Sequence, residues 1–262
     1  MKRENCIALT LMIALLSASA SATMFIRVEK RDPISGETVT VHDVVSYGGY
    51  IYDAPSKYDQ VFWPYTDEPW ILFCPGTGYA SFGDDFEELT EEETTRLSLW
   101  LKENYDPSEK ATTHREKLDW AERVYAQREK DNEFWCHFYR LQAYMCRDDA
   151  GTSLAHVRKA LPLLEEKLQK APQGMARIRV LFLLGEYHRR LGDEQQSRRH
   201  FHQAKAAKYT DDDGVERTGH PYFLELINDK NSPSKAPLGL LAGIVCALAV
   251  GAGLFLRWQS KT

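Results

Sequence analysis

Apolar and polar positions change their period once along this chain. From Met24 to about Val45 they alternate, "MFIRVEK" then "TVTVHDVV", with "DPISGE" between them. Two-residue alternation around a Pro and Gly break predicts a β-hairpin. The stretch that follows is crowded with Tyr, Trp, Pro and Gly and is too broken for a long element, apart from the short strand-like run "WILFC". After Thr90 the spacing becomes three and four. Thr90 with Glu93 forms a capping box, and Leu97, Trp100 and Leu101 share one face. Further helical stripes follow at Leu118, Ala121 and Tyr125, and at Phe134, Phe138, Leu141 and Met145. Others are Leu154, Val157, Leu161, Leu164 and Leu168, where Pro162 should kink the helix, and Leu181, Leu184, His188 and Leu191. The last helix starts at Glu194 and carries Ser197, Phe201 and Ala204.

The ends carry a different pattern. Lys2 and Arg3 precede an apolar run from Cys6 to Leu16, and Ala20-Ser21-Ala22 has the small residues of a cleavage site. This reads as a secretory signal. Residues 236–256 carry no charge, and at about 1.5 Å per residue they are long enough for a hydrocarbon core of about 30 Å. The expected fold is therefore mostly α: a small N-terminal β-rich module, antiparallel tetratricopeptide-like helix pairs, and one C-terminal transmembrane helix. The expected divisions are a signal peptide at 1–22, the β-rich module at 23–89 and the helical domain at 90–227. A linker at 228–235, the membrane helix at 236–256 and a cytoplasmic tail at 257–262 complete the chain. With the signal setting the orientation, the expected location is a bacterial inner membrane, single-pass, with the body in the periplasm. Gly239, Gly243, Ala247 and Gly251 form a small-residue stripe through which the membrane helix could pair in a homodimer.

Charge and cysteine narrow the chemistry. The net charge of −5 becomes −8 for residues 23–235, once the net +1 of Lys2, Arg3 and Glu4 and the +2 of Arg257 and Lys261 are set aside. An acidic body argues against nucleic acid as a partner. Cys136 and Cys146 would stand about 15 Å apart along one helix and should not pair with each other. Cys74 could bond to either, or all three could stay reduced.

"LLGEYHRRLGDEQQSRRHFHQAKA" resembles a tetratricopeptide repeat: Leu184-Gly185 for close helix contact, Gly192 at the turn, then Ser197, Phe201 and Ala204. Such pairs must stack on a neighbour to bury their stripes. A second resemblance rests on "FCPGTGYASFGDDF", residues 73–86. Cys74, Pro75, Gly78, Tyr79, Ala80, Phe82, Asp85 and Phe86 match a bacterial family known as domain of unknown function 2225. There a cysteine-proline-x-cysteine-glycine-tyrosine-alanine turn precedes an aromatic-acidic helix start. The resemblance implies no known activity. Here Thr77 stands where the second cysteine would be, and no cysteine lies between Thr23 and Phe73, so the partner pair of a zinc knuckle is missing. The expectation is a metal-free turn sending Tyr79 and Phe82 inward and Asp84 and Asp85 to solvent.

No catalytic or cofactor motif is present: there is no His-Glu-x-x-His, phosphate loop or nucleophile elbow, and Ser81 is out of frame for the last. His200 and His202 point away from each other on one helix, His188 reads as a core residue, and "TDDDGVE" as a solvated loop rather than a calcium site. Residues 175–208 carry eight basic residues against three acids. The favoured expectation is a non-enzymatic scaffold that binds a protein or peptide without cofactor or metal, with Tyr187, Arg189 and Arg190 on the binding surface. The alternative is a metal-binding sensor or small hydrolase centred on residues 74–86.

Overall fold

The structure is a computed structural model and describes residues 24–46, 56–109 and 111–229. The expected signal peptide, the linker beyond Asp229, the membrane helix with its glycine stripe and the tail all lie outside the described residues. Among the described residues no helix is long and apolar enough to cross a membrane. The chain forms two compact units.

The first unit holds the described residues up to Ser46 and those from Phe62 to Asp131. Strand β1 (Met24–Arg31) pairs antiparallel with β2 (Thr38–Ser46), with Val28 opposite Val41 and an irregularity at Met24. The turn between them closes through Asp32 N–H to the Glu37 carbonyl, and Gly36 supplies its positive φ. A second pair joins β3 (Ile71–Phe73) to β4 (Ala80–Phe82), and the 74–79 turn lies between them. Two helices complete the unit: α2 (Glu91–Asn104) and α3 (His114–Tyr125), each opened by a threonine capping box, Thr90 with Glu93 and Thr113 with Glu116. Leu97, Leu101, Leu118, Val124 and Tyr125 turn inward, as do Tyr79, Phe82 and Phe86 from the sheet side. The unit therefore does not end where the period changes near residue 90. The change of spacing marks a change of secondary structure within a single packing unit.

The second unit comprises Ser56–Val61 and the residues from Asn132 onward. It begins with a single turn, α1 (Ser56–Asp59), which precedes the whole first-unit helical pair in sequence. Then come α4 (Asn132–Met145), α5 (Ala150–Lys170), α6 (Met175–Arg190) and α7 (Glu194–Ala206). A small hairpin, β5 (Lys208–Thr210) with β6 (Glu216–Thr218), leads to α8 (Pro221–Asn228). Asp149 and Asp193 accept from Thr152 N–H and Gln196 N–H, capping α5 and α7. Helix α5 is assigned unbroken through Pro162. Its apolar face packs along α4 on one side and α6 on the other. The α6–α7 hairpin closes tightly because Gly185 has no side chain: a Cβ there would meet the Phe201 ring at 2.5 Å. Val157, Leu164, Ile178, Leu181, Phe182 and Leu184 form the centre of one core. The "TDDDGVE" stretch is the β5–β6 turn, closed when Asp211 accepts from the Asp213 and Val215 amides.

Candidate functional site

Helices α4 and α6 each place an arginine where an amphipathic helix would carry an apolar residue. On α4 Arg140 is buried, flanked along the stripe by buried Cys136 and Ala143. On α6 Arg190 comes one position short of a full turn after buried Tyr187. A guanidinium in such a position needs an internal partner, because an unpaired buried charge is costly. That partner is α1.

Asp59 is 3% exposed. Its Oδ1 accepts from the Tyr187 hydroxyl at 2.9 Å and from Arg190 Nη1 at 2.7 Å. Arg190 uses its other nitrogen, Nη2, to reach Ser153 Oγ at 2.7 Å, and that hydroxyl donates to the Ala143 carbonyl at 2.6 Å. One carboxylate is thereby tied to α4, α5 and α6 at once. Arg140 Nε donates to the Asp59 carbonyl at 2.9 Å, and its Nη2 to the Gln60 carbonyl. Tyr58 enters the core beside these helices and gives its hydroxyl to Asp229 at 2.5 Å, while Lys57 pairs with the same carboxylate at 3.2 Å. Gln60 Nε2 reaches the Tyr222 hydroxyl of α8 at 3.3 Å.

The electrostatics agree with the geometry. Complete burial, then the negative charge of Asp59, pushes the Tyr187 phenol well up, so it remains a donor. Burial works against the charge on Arg190, but Asp59 and its neighbours outweigh it and raise the pKa. Burial and the Asp229 contact push Tyr58 up as well. Gln60 is the one described non-glycine residue with a positive φ, 50°. Side chains enter that region at a cost of about 1–2 kcal/mol. Such strain persists where surrounding contacts impose it, and here Arg140 holds the carbonyls of residues 59 and 60.

The 74–79 turn is built differently. Cys74 N–H donates to the Tyr79 carbonyl and Gly78 N–H to the Cys74 carbonyl, both at 2.8 Å. Gly78 has φ +79° and abuts the Tyr105 ring, so no side chain fits there. Thr77 donates its hydroxyl to Oδ2 of buried Asp32 at 2.7 Å, and Oδ1 of that carboxylate accepts from Ile34 N–H at 2.9 Å. The hairpin turn and the 74–79 turn are thus joined by hydrogen bonds at the place where a knuckle would use metal. Burial, reinforced by Asp32, pushes the Cys74 thiol up, away from the thiolate a metal needs. A zinc ion does not fit this donor set. Among the described residues no three His, Cys, Asp or Glu side chains gather as metal ligands.

A family model described as an uncharacterized protein conserved in bacteria, DUF2225, matches residues 45–214. The chain belongs to the DUF2225 family. No curated protein and no solved structure matches it. The matched span of this DUF2225 member includes α1, Arg140, Tyr187 and Arg190, whereas Asp32, the partner of Thr77, lies before it.

Of the residues singled out in the sequence, Tyr187 and Arg190 do come together, but on Asp59 of the same chain. Tyr187 is 0% exposed. Arg189 turns to buried Glu186 and stacks over Phe201. Tyr79 and Phe82 are buried and Asp84 is exposed, accepting from the Tyr65 hydroxyl at 2.5 Å. Asp85 departs from expectation. It is 7% exposed because Arg128 clamps it at 2.9 and 3.0 Å and Lys130 adds a third contact at 2.9 Å. Its charge is fully engaged within the fold. His188 is buried and stacks on His200 with ring centres 5.4 Å apart, while His202 is exposed. Cys74, Cys136 and Cys146 are all buried, and none of the three is in a disulfide among the described residues.

The sequence reading missed Asp59, Tyr58 and Arg140. A signal existed for Arg140: a guanidinium in the apolar row of a helix requires a buried acceptor. Nothing local in "PSKYDQV" marks Asp59 as that acceptor, since its partners lie 81 and 131 residues away.

Proposed function

We propose that this protein is a protein-interaction scaffold, carried outside a bacterial inner membrane by its N-terminal signal and C-terminal apolar span. Its helical unit acts through tetratricopeptide-like pairs. The observation behind this reading is that α4 and α6, the first helices of two successive hairpins, hold a short foreign-looking turn by carboxylate and carbonyls together. Stacked helix pairs recognise peptides with such combinations of anchors.

A photo-crosslinking residue placed at Tyr222, beside the held turn, tests the reading in cells, with Arg198 on α7 as the comparison position. Discrete adducts to one partner from position 222 and none from 198 are expected. Absence of adducts at 222, or the same adducts from both positions, contradicts it.

A further inference from the structure

We propose that the Lys57–Val61 turn is an internal stand-in for the ligand of the α4–α6 face. On this view, the face accepts from a partner protein a single helical turn bearing a Tyr-Asp pair, in competition with the chain's own copy. The inference rests on the scaffold reading and names its ligand and its control.

Three features support it. First, the contacts are of the kind that recognise a motif. Arg190 and Tyr187 read the carboxylate, the apolar core with Asp229 reads the tyrosine, and Arg140 reads two main-chain carbonyls that any sequence offers. Second, helices α4 to α7 pack on one another directly, and the turn comes from a distant part of the sequence. Third, the internal copy is a strained ligand, because Gln60 is held in the left-handed region. A competitor with glycine at that position adopts the same conformation without the penalty. The preferred external sequence is therefore Tyr-Asp-Gly followed by an apolar residue, matching the buried Val61. The internal copy also has a high effective concentration through its tether, so it shields Arg140 and Arg190 until a better-matched turn arrives.

The test uses the full chain and a fluorescent peptide with the sequence of residues 55–62, Pro-Ser-Lys-Tyr-Asp-Gln-Val-Phe. A chain carrying Tyr58→Ala and Asp59→Ala should bind it, as read by anisotropy, whereas the unaltered chain should bind it at least tenfold more weakly, roughly. Adding Arg190→Ala, or changing the peptide Asp to Asn, should abolish binding. Replacing the peptide Gln by Gly should tighten it roughly tenfold. Failure of the folded double variant to bind, or binding indifferent to Arg190→Ala, overturns the proposal.

Should the double variant not fold, the unaltered chain is mixed with excess glycine-bearing peptide and followed by hydrogen exchange. Faster exchange at residues 57–61, with α6 still protected, supports displacement. No change at saturating peptide overturns it. A position-222 adduct in cells together with no peptide binding by either chain removes this inference alone and leaves the scaffold reading standing.

Discussion

Arg190 Nη1 lies 2.7 Å from Oδ1 of Asp59, 131 residues earlier in the chain. Each charge is nearly sealed from water, at 10% and 5% side-chain exposure. Removing one member of such a pair strands the other, at a cost of about 3–5 kcal/mol, while replacing both by apolar groups is often neutral. Arg190→Met alone, or Asp59→Leu alone, should therefore lower stability by about 3 kcal/mol. The pair Arg190→Met with Asp59→Leu should recover most of that loss. Urea unfolding of the four chains, read as a double-mutant cycle, gives the coupling.

In the first unit the comparable relationship is neutral-to-charged. Thr77→Val keeps the shape but withdraws the hydroxyl from buried Asp32, leaving Oδ2 short of a donor. A loss of about 1–3 kcal/mol is expected. Thiol-reagent labelling of Cys74 should accelerate, because its main-chain turn is held through the same residues.

His137 carries a pH signature. Burial, followed by the nearby charges of Arg140 and Lys167, lowers its pKa to about 4 from 6.5. Below pH 6.5 the unfolded chain takes up a proton that the folded chain refuses, so stability falls with pH down to about 4. The shift corresponds to about 3 kcal/mol. His137→Gln should flatten the stability profile between those two pH values and leave it unchanged above pH 7. Denaturant midpoints across the range give the comparison.

Gly185 faces the Phe201 ring across the α6–α7 hairpin. Gly185→Val should overpack that contact and cost about 1–3 kcal/mol. Phe201→Ala in the same chain should relieve the clash, although its own cavity costs stability. Thermal melts of the single and double variants show the coupling directly.

The helices were legible in the sequence where apolar spacing and caps agree. Thr90 with Glu93 opens α2 as expected, and Leu118, Leu141, Leu164 and Leu184 of the expected stripes are buried. The Cys74 turn was legible too, because Gly78 and Tyr79 allow few alternatives. Pairings across long sequence distance were not. Asp85 read as a solvent acid because Arg128 and Lys130, which draw it inward, lie beyond the end of α3, more than 40 residues later in the chain. Tyr187 and Arg190 stood out as an aromatic-basic surface pair because periodicity reports that a face is filled without saying by what. The filler, α1, is a single turn with no period of its own, in a stretch whose composition reads as loop.

The central claim is that the face of α4 and α6 grips the Ser56–Val61 turn through Arg190. Backbone hydrogen exchange over residues 56–61 in the full chain measures that grip. Slow exchange in the unaltered protein, becoming fast in Arg190→Ala while α4 to α7 stay protected, is the predicted result. Equally fast exchange of this segment in both chains would contradict the account.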